Sequence, residues 1–333
     1  MKKSTKTALK VGIGASVALF AACEGIYEGV LSRLSMDLNK KYQLFTDGDT
    51  AGRYEDNPER LAGVEWFEAI RPKAVSVKNT EGKSIYAFLV KQDIPTDKWA
   101  ICVHGYTDEP LGVANIGKFY YDNGYNVLFP CLKAHSLDTE MYCSMGYYDR
   151  YMFCRWIDYI TAENAEAQIV LHGVSMGSAT TMLVTGEDIP ENVKCAICDC
   201  GYTSVWDEYK SQIGVVLHLP VFPFLYILNG ISIMRKNFDF RKCAPIEAVK
   251  KSNTPTLFIH GEKDKFVPYE MMYPLYCACK AEREMLSVPD AYHAVSSYIH
   301  PEIYWPKVSE FVGKHMNAEP KKKPEARKKA VKK

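Results

Sequence analysis

A serine at the centre of a Gly-x-Ser-x-Gly pattern constrains this chain more than any other feature. Residues 173–177 read Gly-Val-Ser-Met-Gly, between the apolar run Ala167 to Leu171 and the small-residue stretch Ser178 to Val184. The pattern predicts a strand, a tight turn and a helix with Ser175 at the apex, because the flanking glycines allow the cramped backbone that exposes its hydroxyl. A serine is a good nucleophile only beside a base. The pattern therefore calls for a histidine and an acid elsewhere.

Both partners lie downstream, each just beyond a separate predicted strand. Asp264 follows the apolar run Pro255 to Ile259, and His293 follows a second short run, Glu284 to Val288. The order serine, acid, histidine is that of the α/β-hydrolases and differs from the orders of the two other common serine-triad folds. We therefore expect Ser175 to be the nucleophile, His293 the base and Asp264 the acid.

Two of these assignments have competitors. Asp199 also ends a predicted strand, and some hydrolases place the acid there, but the loop of Asp264 is the usual position. His300 is the substitute for His293. Three further histidines directly precede a glycine at a strand end, and we expect them to shape loops rather than transfer protons: His104, His172 and His260.

A glycine-containing loop upstream predicts an oxyanion hole. Residues 99–103 form a predicted strand, and His104 to Pro110 follow as a loop before a helix. Acyl transfer needs backbone N–H groups aimed at the developing oxyanion, and they come from this loop and from the residue after the nucleophile. We assign them to Tyr106 and Met176.

With these motifs in place, residues from about 74 to 313 resemble the α/β-hydrolase superfamily. His-Gly-Tyr-Thr at 104–107, Gly-Val-Ser-Met-Gly and Ile-His-Gly-Glu-Lys-Asp-Lys-Phe-Val-Pro at 259–268 are similar to a bacterial branch of membrane-anchored hydrolases related to serine aminopeptidases and acyl hydrolases. The resemblance implies an α/β-hydrolase fold with a small helical cap at about residues 201–243. One departure is the loop Pro130 to Ser136, where many relatives carry Asp-x-Arg-Gly-His-Gly.

Alternating strands and helices support this fold class, a mostly parallel central sheet flanked by helices with the site at the carboxyl ends of the strands. Besides the strands already named, the sequence predicts strands at Ala74–Lys78, Ser84–Val90, Asn126–Phe129 and Val193–Cys198. It predicts helices near Val113–Asn123, Tyr147–Thr161 and Tyr269–Ala281, in addition to the helix after Ser175.

The expected cap contains an apolar segment, Val215 to Leu228, that is broken by Pro220 and Pro223. Such a segment lines an acyl-chain pocket, touches a membrane surface, or packs on the core like most apolar runs. The first interpretation predicts four substrate-binding residues: Leu217, Phe222, Phe224 and Leu225.

The N-terminus carries a localisation signal. Four lysines in residues 1–10 precede thirteen uncharged residues, Val11 to Cys23. Thirteen is short for a spanning helix of roughly twenty residues and suits a secretory signal. The helical pattern nevertheless continues to Leu31, which permits an uncleaved signal anchor with the lysines inside and residues from about 33 outside. Cleavage or lipidation at Ala21-Ala-Cys23, and an amphipathic helix of a soluble protein, remain alternatives.

These observations divide the chain into a signal segment (1–32), an N-terminal extension (33–73), a catalytic domain (74–318) and a basic tail (319–333). We expect a cell-membrane protein whose catalytic domain is extracytoplasmic, or a secreted or lipidated one. The net charge of +1 hides an acidic body, because residues 11–318 carry 29 basic and 38 acidic side chains. The tail should be disordered, and either aids solubility or contacts anionic surfaces.

Other partner classes receive little support. No nucleic-acid-binding fold accompanies the basic tail, so we expect no nucleic-acid partner. The eleven cysteines lack the regular spacing of a disulfide scaffold. Cys195-Ala-Ile-Cys198 has no matching second pair, so we expect no metal site.

The chemistry expected is acyl transfer without a metal or organic cofactor. An ester or thioester is the preferred substrate, cleaved through an acyl-enzyme, because no sequence feature marks a pocket for a free peptide N-terminus. A serine peptidase or amidase is the alternative on the same fold. A non-catalytic, membrane-associated binding protein is the alternative of another class.

Overall fold

The structure, a computed structural model, describes residues 3–42, 56–215 and 217–316. The tail expected at 319–333 lies outside these residues. An eight-stranded sheet with strand order β1-β2-β4-β3-β5-β6-β7-β8 forms the centre of the molecule. The strands are β1 (Lys73–Lys78), β2 (Ser84–Val90), β3 (Lys98–Val103), β4 (Asn126–Pro130), β5 (Gln168–Val174), β6 (Val193–Asp199), β7 (Thr256–Gly261) and β8 (Arg283–Val288).

Strands β3 to β8 run parallel, whereas β1 and β2 pair antiparallel at one edge. The inner strands β4 and β7 are buried along their whole length. Parallel strands covered on both faces are near-continuous apolar runs. Each of the eight strands expected from the sequence is present, with ends that agree within three residues, so the predicted fold class is confirmed.

Helices cover both faces of the sheet. In chain order they are α1 (Lys3–Leu31), α2 (Arg33–Tyr42), α3 (Pro58–Ile70), α4 (Ala114–Asp122), α5 (Asp149–Glu163), α6 (Met176–Thr185), α7 (Val205–Val215), α8 (Val221–Lys236), α9 (Pro245–Val249), α10 (Met272–Ala278), α11 (Ser296–Ile299) and α12 (Pro301–Met316). Helix α10 ends three residues before the predicted Ala281, because Cys279 takes an extended conformation.

The core forms two layers, one on each face of the sheet. Helices α3, α4 and α12 pack on one face, where Phe129, Tyr304 and Phe311 are fully buried. Helices α5, α6, α9 and α10 lie on the other face with the two cap helices, α7 and α8, and Trp156 is fully buried there. The carboxyl ends of the parallel strands meet beneath this cap, which is where such sheets place their sites.

Helix α1 has two parts with different surroundings. Most of residues 14–22 are exposed, including Val17 and Phe20, whereas Cys23, Tyr27 and Leu31 are buried against the catalytic domain. Among the described residues, α1 is the one helix long and apolar enough to cross a membrane, over Gly14–Leu31, by length and composition alone. The buried residues of that window, Cys23, Tyr27 and Leu31, all lie in its second half.

Salt bridges fasten the second part of α1 to the cap. The Arg235 guanidinium on α8 lies 3.4 Å from the Glu24 carboxylate and also pairs with Glu28. The Tyr142 hydroxyl donates a hydrogen bond of 2.8 Å to Glu28 Oε1. Residues 23–31 thus belong structurally with the catalytic domain.

Candidate active site

Ser175 lies on a sharp turn between β5 and α6. Its φ of 56° and ψ of −118° are unusual for a residue with a side chain. A Cβ atom on Gly173 would lie 2.2 Å from the carbonyl oxygen of Gly177, and one on Gly177 would lie 2.2 Å from that of Val103. Both glycines are therefore required by the close approach of β5, α6 and β3, and together they hold the serine in its sharp turn.

The serine hydroxyl lies at one end of a continuous chain of hydrogen bonds. His293 Nε2 is 2.8 Å from Ser175 Oγ, and His293 Nδ1 is 2.8 Å from Asp264 Oδ2. The loops after β7 and β8 supply the acid and the histidine, so all three side chains meet at the carboxyl edge of the sheet. The structure brings the three predicted residues together in the order that acyl transfer requires.

The Asp264 carboxylate is held by four groups. Its Oδ1 accepts hydrogen bonds of 3.0 Å from the N–H groups of Phe266 and Val267. Its Oδ2 contacts His293 and also His260 Nε2, at 3.1 Å. A carboxylate fixed from both sides orients the imidazole that it contacts.

The charges of Asp264 and His293 support each other. Burial alone would raise the pKa of Asp264, but the charge of His293 and hydrogen bonds from His260 and His293 lower it to about 2. Burial alone would lower the pKa of His293, but the Asp264 charge and its hydrogen bond hold it well above the usual value. An ionised Asp264 accepts a hydrogen bond from the Nδ1–H of neutral His293, which leaves Nε2 facing Ser175 as a base.

The competing residues lie in other surroundings. Asp199 Oδ2 accepts a hydrogen bond of 2.9 Å from the Tyr304 hydroxyl, and burial raises its pKa to about 6. His300 pairs with Glu302 outside the site, at 2.7 Å. The structure therefore places Asp264, and not Asp199, in hydrogen-bond contact with His293.

The three histidines before glycines are buried in loops and at strand ends, as their positions suggest. His104 Nε2 accepts a hydrogen bond of 3.3 Å from the Leu132 N–H. His172 lies between the hydroxyls of Tyr120 and Tyr304, at 3.1 and 3.0 Å, and burial lowers its pKa to about 3. His260, as described above, contacts Asp264.

The predicted oxyanion donors lie on either side of the serine. Met176 is the first residue of α6, where backbone N–H groups have no partner inside the helix. A Cβ on Gly105 would lie 3.4 Å from the Ser175 Cβ, which places the loop that contains Tyr106 directly against the nucleophile. The backbone of both predicted donors is therefore adjacent to Ser175.

His135, which the sequence analysis left without a role, supports the loop of Tyr106. Its Nε2 accepts a hydrogen bond of 3.2 Å from the Thr107 N–H, and its Nδ1 lies 2.8 Å from the Lys133 carbonyl oxygen. One nitrogen must accept and the other donate, so the ring is neutral. Burial outweighs the opposing effect of the hydrogen bond to the Lys133 carbonyl and lowers the pKa of His135 to about 4. His135 lies in the loop that departs from the pattern of many relatives.

An apolar cavity leads to Ser175 from beneath the cap. Of the four expected substrate-binding residues, Leu217 lines this cavity, whereas Phe222 is 73% exposed. Phe224 packs against the core, and Leu225 is fully buried within it. The wall expected from these residues comes instead from α1, because its second part packs against α8. Four α1 residues line the cavity: Ile26, Tyr27, Val30 and Leu31.

One acidic side chain in the cavity was not predicted from the sequence. Glu208 on α7 is only 3% exposed and lines the cavity beside Gln212. The Gln212 amide donates a hydrogen bond of 2.9 Å to its Oε1. The available signal was its position three residues after the apolar Val205, on the same helix face. Such a position is common on exposed helices as well, so it did not single out Glu208.

A thiol lies beside the histidine and the acid. Three atoms that could bind a metal ion lie within 4.8 Å of one another, one each from Cys200, Asp264 and His293. A metal ion there would compete for the nitrogen and oxygen atoms that join Asp264 to His293. Burial raises the pKa of the Cys200 thiol to about 12, which opposes the thiolate form that binds metals.

Sequence comparison identifies the family. The sequence profile of the prolyl oligopeptidase family, Peptidase_S9, matches residues 139–319, which is more than half of the chain and includes Ser175, Asp264 and His293. The chain belongs to this family. This prolyl oligopeptidase family member is also 25% identical over 284 residues to the uncharacterized protein YqkD of Bacillus subtilis, covering 85% of this chain and 91% of that one.

Solved structures agree on the fold. The esterase Pf2001 of Pyrococcus furiosus superimposes with a TM-score of 0.62 at 19% identity, covering 75% of this chain and 95% of that one. Est1E of Butyrivibrio proteoclasticus superimposes with a TM-score of 0.55 at 18% identity, covering 74% of this chain and 99% of that one. An acylaminoacyl peptidase of Pyrococcus horikoshii superimposes with a TM-score of 0.53 at 18% identity, covering 75% of this chain and 42% of that one. This member of the prolyl oligopeptidase family is a serine hydrolase of the α/β-hydrolase fold.

Proposed function

We propose that the protein hydrolyses carboxylic esters, including thioesters, of apolar acyl groups. The observation that carries this proposal is the unbroken hydrogen-bond sequence from Asp264 through His293 to Ser175, at the end of an apolar cavity. In this role Ser175 is the nucleophile, His293 the base and Asp264 the group that orients it.

The reaction follows from the geometry. His293 Nε2 takes the proton of the Ser175 hydroxyl as the oxygen attacks the ester carbonyl. The N–H groups of Tyr106 and Met176 then hold the negative oxygen of the tetrahedral intermediate. His293 gives its proton to the departing alcohol or thiol, which leaves an acyl-serine. Water, activated by the same imidazole, releases the acid, and no metal or organic cofactor takes part.

The apolar cavity favours an ester of an apolar acid. Because its walls come mainly from hydrocarbon and aromatic side chains, burial of an acyl chain is favourable by about 25 cal/mol for each Å² removed from water. The alternative on the same fold is a serine peptidase or amidase. It is supported by the name of the prolyl oligopeptidase family and by the structural likeness to acylaminoacyl peptidase.

The exposed part of α1 supports membrane attachment. We propose that the exposed residues before Cys23 make the membrane contact, because residues from Cys23 to Leu31 pack on the catalytic domain. The basic residues at 319–333 would add contacts with anionic lipid. Secretion or lipidation after cleavage before Cys23 is the alternative, and it would keep Ile26 to Leu31 in the cavity wall. Retention of the full chain in membranes after alkaline carbonate extraction tests attachment; release into the soluble fraction would contradict it.

Labelling tests the proposed chemistry. Full-length wild type and Ser175→Ala are treated in detergent with a fluorophosphonate, which reacts with activated serines. They are then assayed with p-nitrophenyl esters from acetate to palmitate and with aminoacyl and acylaminoacyl amides. We expect labelling and ester turnover that Ser175→Ala abolishes. Faster turnover of amides than of esters would favour the peptidase, and no labelling of folded wild type would favour a non-catalytic binding protein.

A further inference from the structure

The cavity that leads to Ser175 contains buried polar atoms without partners. Glu208 Oε2 has no hydrogen-bond partner among the described residues, and neither has the hydroxyl of Tyr209, the next residue on α7. Both side chains line the cavity. A buried polar atom left unpaired destabilises a fold, because it has lost its hydrogen bonds to water without gaining others. Two such atoms in one cavity indicate a place where a ligand supplies the missing hydrogen bonds.

Contacts place Glu208 near the reacting end of the cavity. Gln212 donates one hydrogen bond to Glu208 Oε1 and another to the Phe266 carbonyl oxygen. The Phe266 ring in turn packs on the His293 ring, with 4.9 Å between their centroids. Glu208 and Ser175 line the same cavity, and the charge of His293 acts on the Glu208 carboxyl, so a substrate that reaches Ser175 can also contact Glu208.

The surroundings of Glu208 favour an uncharged ligand group. No Lys, Arg or His is among the described residues that line this cavity. Burial outweighs the hydrogen bond from Gln212 and raises the pKa of Glu208 to about 8, so the protonated acid predominates at neutral pH. A protonated carboxyl both donates and accepts a hydrogen bond, as a hydroxyl does. An ammonium group would bring a charge into an apolar cavity, which is far less favourable.

We propose that Glu208 and Tyr209 form a subsite for a hydroxyl group on the acyl part of the substrate, within the first carbons after the carbonyl. The preferred substrates are then hydroxyacyl esters rather than plain fatty-acyl esters. The proposal rests on the ester hydrolysis proposed above. It adds a second determinant, since apolar walls alone select by size whereas an unpaired polar group selects for its partner.

The test compares two esters that differ by one hydroxyl. Each enantiomer of p-nitrophenyl 3-hydroxybutyrate is assayed beside p-nitrophenyl butyrate, with wild type, Glu208→Met, Glu208→Gln and Tyr209→Phe. Leu217→Met is the control, because it changes the same cavity without removing a polar atom. We expect wild type and the control to prefer one hydroxy ester about tenfold in kcat/KM, as one good hydrogen bond allows.

The variants separate a binding role from a structural one. Glu208→Met should lose the preference for the hydroxy ester over butyrate, whereas Glu208→Gln, which still donates and accepts, should keep part of it. Tyr209→Phe should weaken it. Thermal unfolding of Glu208→Met should occur at a higher temperature, because an unpaired buried oxygen is removed.

Three results would overturn the proposal. The subsite alone would be overturned if the ratio of kcat/KM for the hydroxy ester to kcat/KM for the butyrate ester were the same in wild type and Glu208→Met. This holds where wild type turns over butyrate normally and is labelled by the fluorophosphonate. A wild-type preference for a 3-aminobutyrate ester, lost equally in Glu208→Gln and Glu208→Met, would replace the hydroxyl by an ammonium group. Absence of labelling at Ser175 would overturn the proposed ester hydrolysis together with the subsite.

Discussion

The hydroxyl of Tyr106 donates a hydrogen bond to the main-chain carbonyl of Val30. This contact joins the loop that lies against Ser175 to the N-terminal helix, 76 residues earlier in the chain. Val30 also lines the apolar cavity with three neighbours on α1. The N-terminal helix is therefore part of the candidate active site as well as a candidate anchor.

Removing the second part of α1 should impair the enzyme. A chain of residues 33–333 lacks the cavity wall from Ile26 to Leu31, whereas one of residues 23–333 retains it. We expect kcat/KM for p-nitrophenyl butyrate to fall at least tenfold in the shorter chain and little in the longer one, because water enters the opened cavity. Ester kinetics and thermal unfolding of both chains provide the measurement. Equal activity in the two would show that α1 is dispensable for the site.

Asp264 and Asp199 should differ in their importance for catalysis. Asp264→Asn leaves the shape of the site intact but favours the wrong tautomer of His293, so we expect kcat to fall by about three to four orders of magnitude. Asp199→Asn should lower it less than about tenfold, because Asp199 bonds to Tyr304 instead. Single-turnover kinetics of the two variants decide between them. The reverse ranking would make Asp199 the acid.

His135 should act as a positioning residue for the oxyanion loop. His135→Ala leaves the Thr107 N–H without its acceptor, so we expect kcat to fall about tenfold with little change in KM, as for lost transition-state contacts. His135→Gln, whose amide oxygen can accept, should restore part of the loss. His300→Ala, outside the site, is the control. If kcat falls no further in His135→Ala than in His300→Ala, His135 does not position the oxyanion loop.

Activity should report the raised pKa of His293. The base must be unprotonated in the free enzyme, so kcat/KM should rise with pH through an apparent pKa above 6.5. In Asp264→Asn the charge that raises this pKa is gone, and the acid limb of the residual activity should move to lower pH. A pH profile of both proteins with butyrate ester is the measurement. An unshifted limb would mean that another group titrates.

The two buried, neutral histidines should lower stability on acidification, whereas Asp199 and Glu208, with raised pKa values of about 6 and about 8, should raise it as pH falls. His135 and His172 are buried and neutral, with pKa values of about 4 and 3 in the folded protein against about 6.5 in the unfolded chain. At these two histidines the unfolded chain therefore binds more protons between pH 6.5 and these values, and their contribution to the free energy of unfolding falls as pH falls. The loss reaches roughly 1.4 kcal/mol for each pH unit and each histidine.

Asp264 adds to this loss only below pH 3.8, where its lowered folded pKa of about 2 becomes relevant. Urea unfolding at pH 7, 6 and 5 measures the slope. In His135→Gln, whose side chain cannot titrate, this slope should lack the contribution of one histidine. The same pH slope of the unfolding free energy in wild type and His135→Gln would contradict a neutral, buried His135.

The sequence predicted the elements that depend on neighbouring residues. The glycines around Ser175 identified the turn because backbone sterics act over a few positions. The chain order of Ser175, Asp264 and His293 identified the site because parallel strands bring their carboxyl ends to one edge. Each of these signals is contained within one segment, or within the regular alternation of strands and helices.

Other features depend on segments that meet only in the folded chain. Phe222 and Leu225 belong to an apolar run that suggested a pocket, but the packing of α1 on α8 left one exposed and the other in the core. Burial of Glu208 gives its acid a raised pKa, although its local sequence resembles that of an exposed helix. The sequence by itself thus determined the fold class and the order of the candidate triad along the chain. Only the tertiary structure decided which surfaces enclose the substrate, because burial and desolvation depend on contacts between residues distant in the chain.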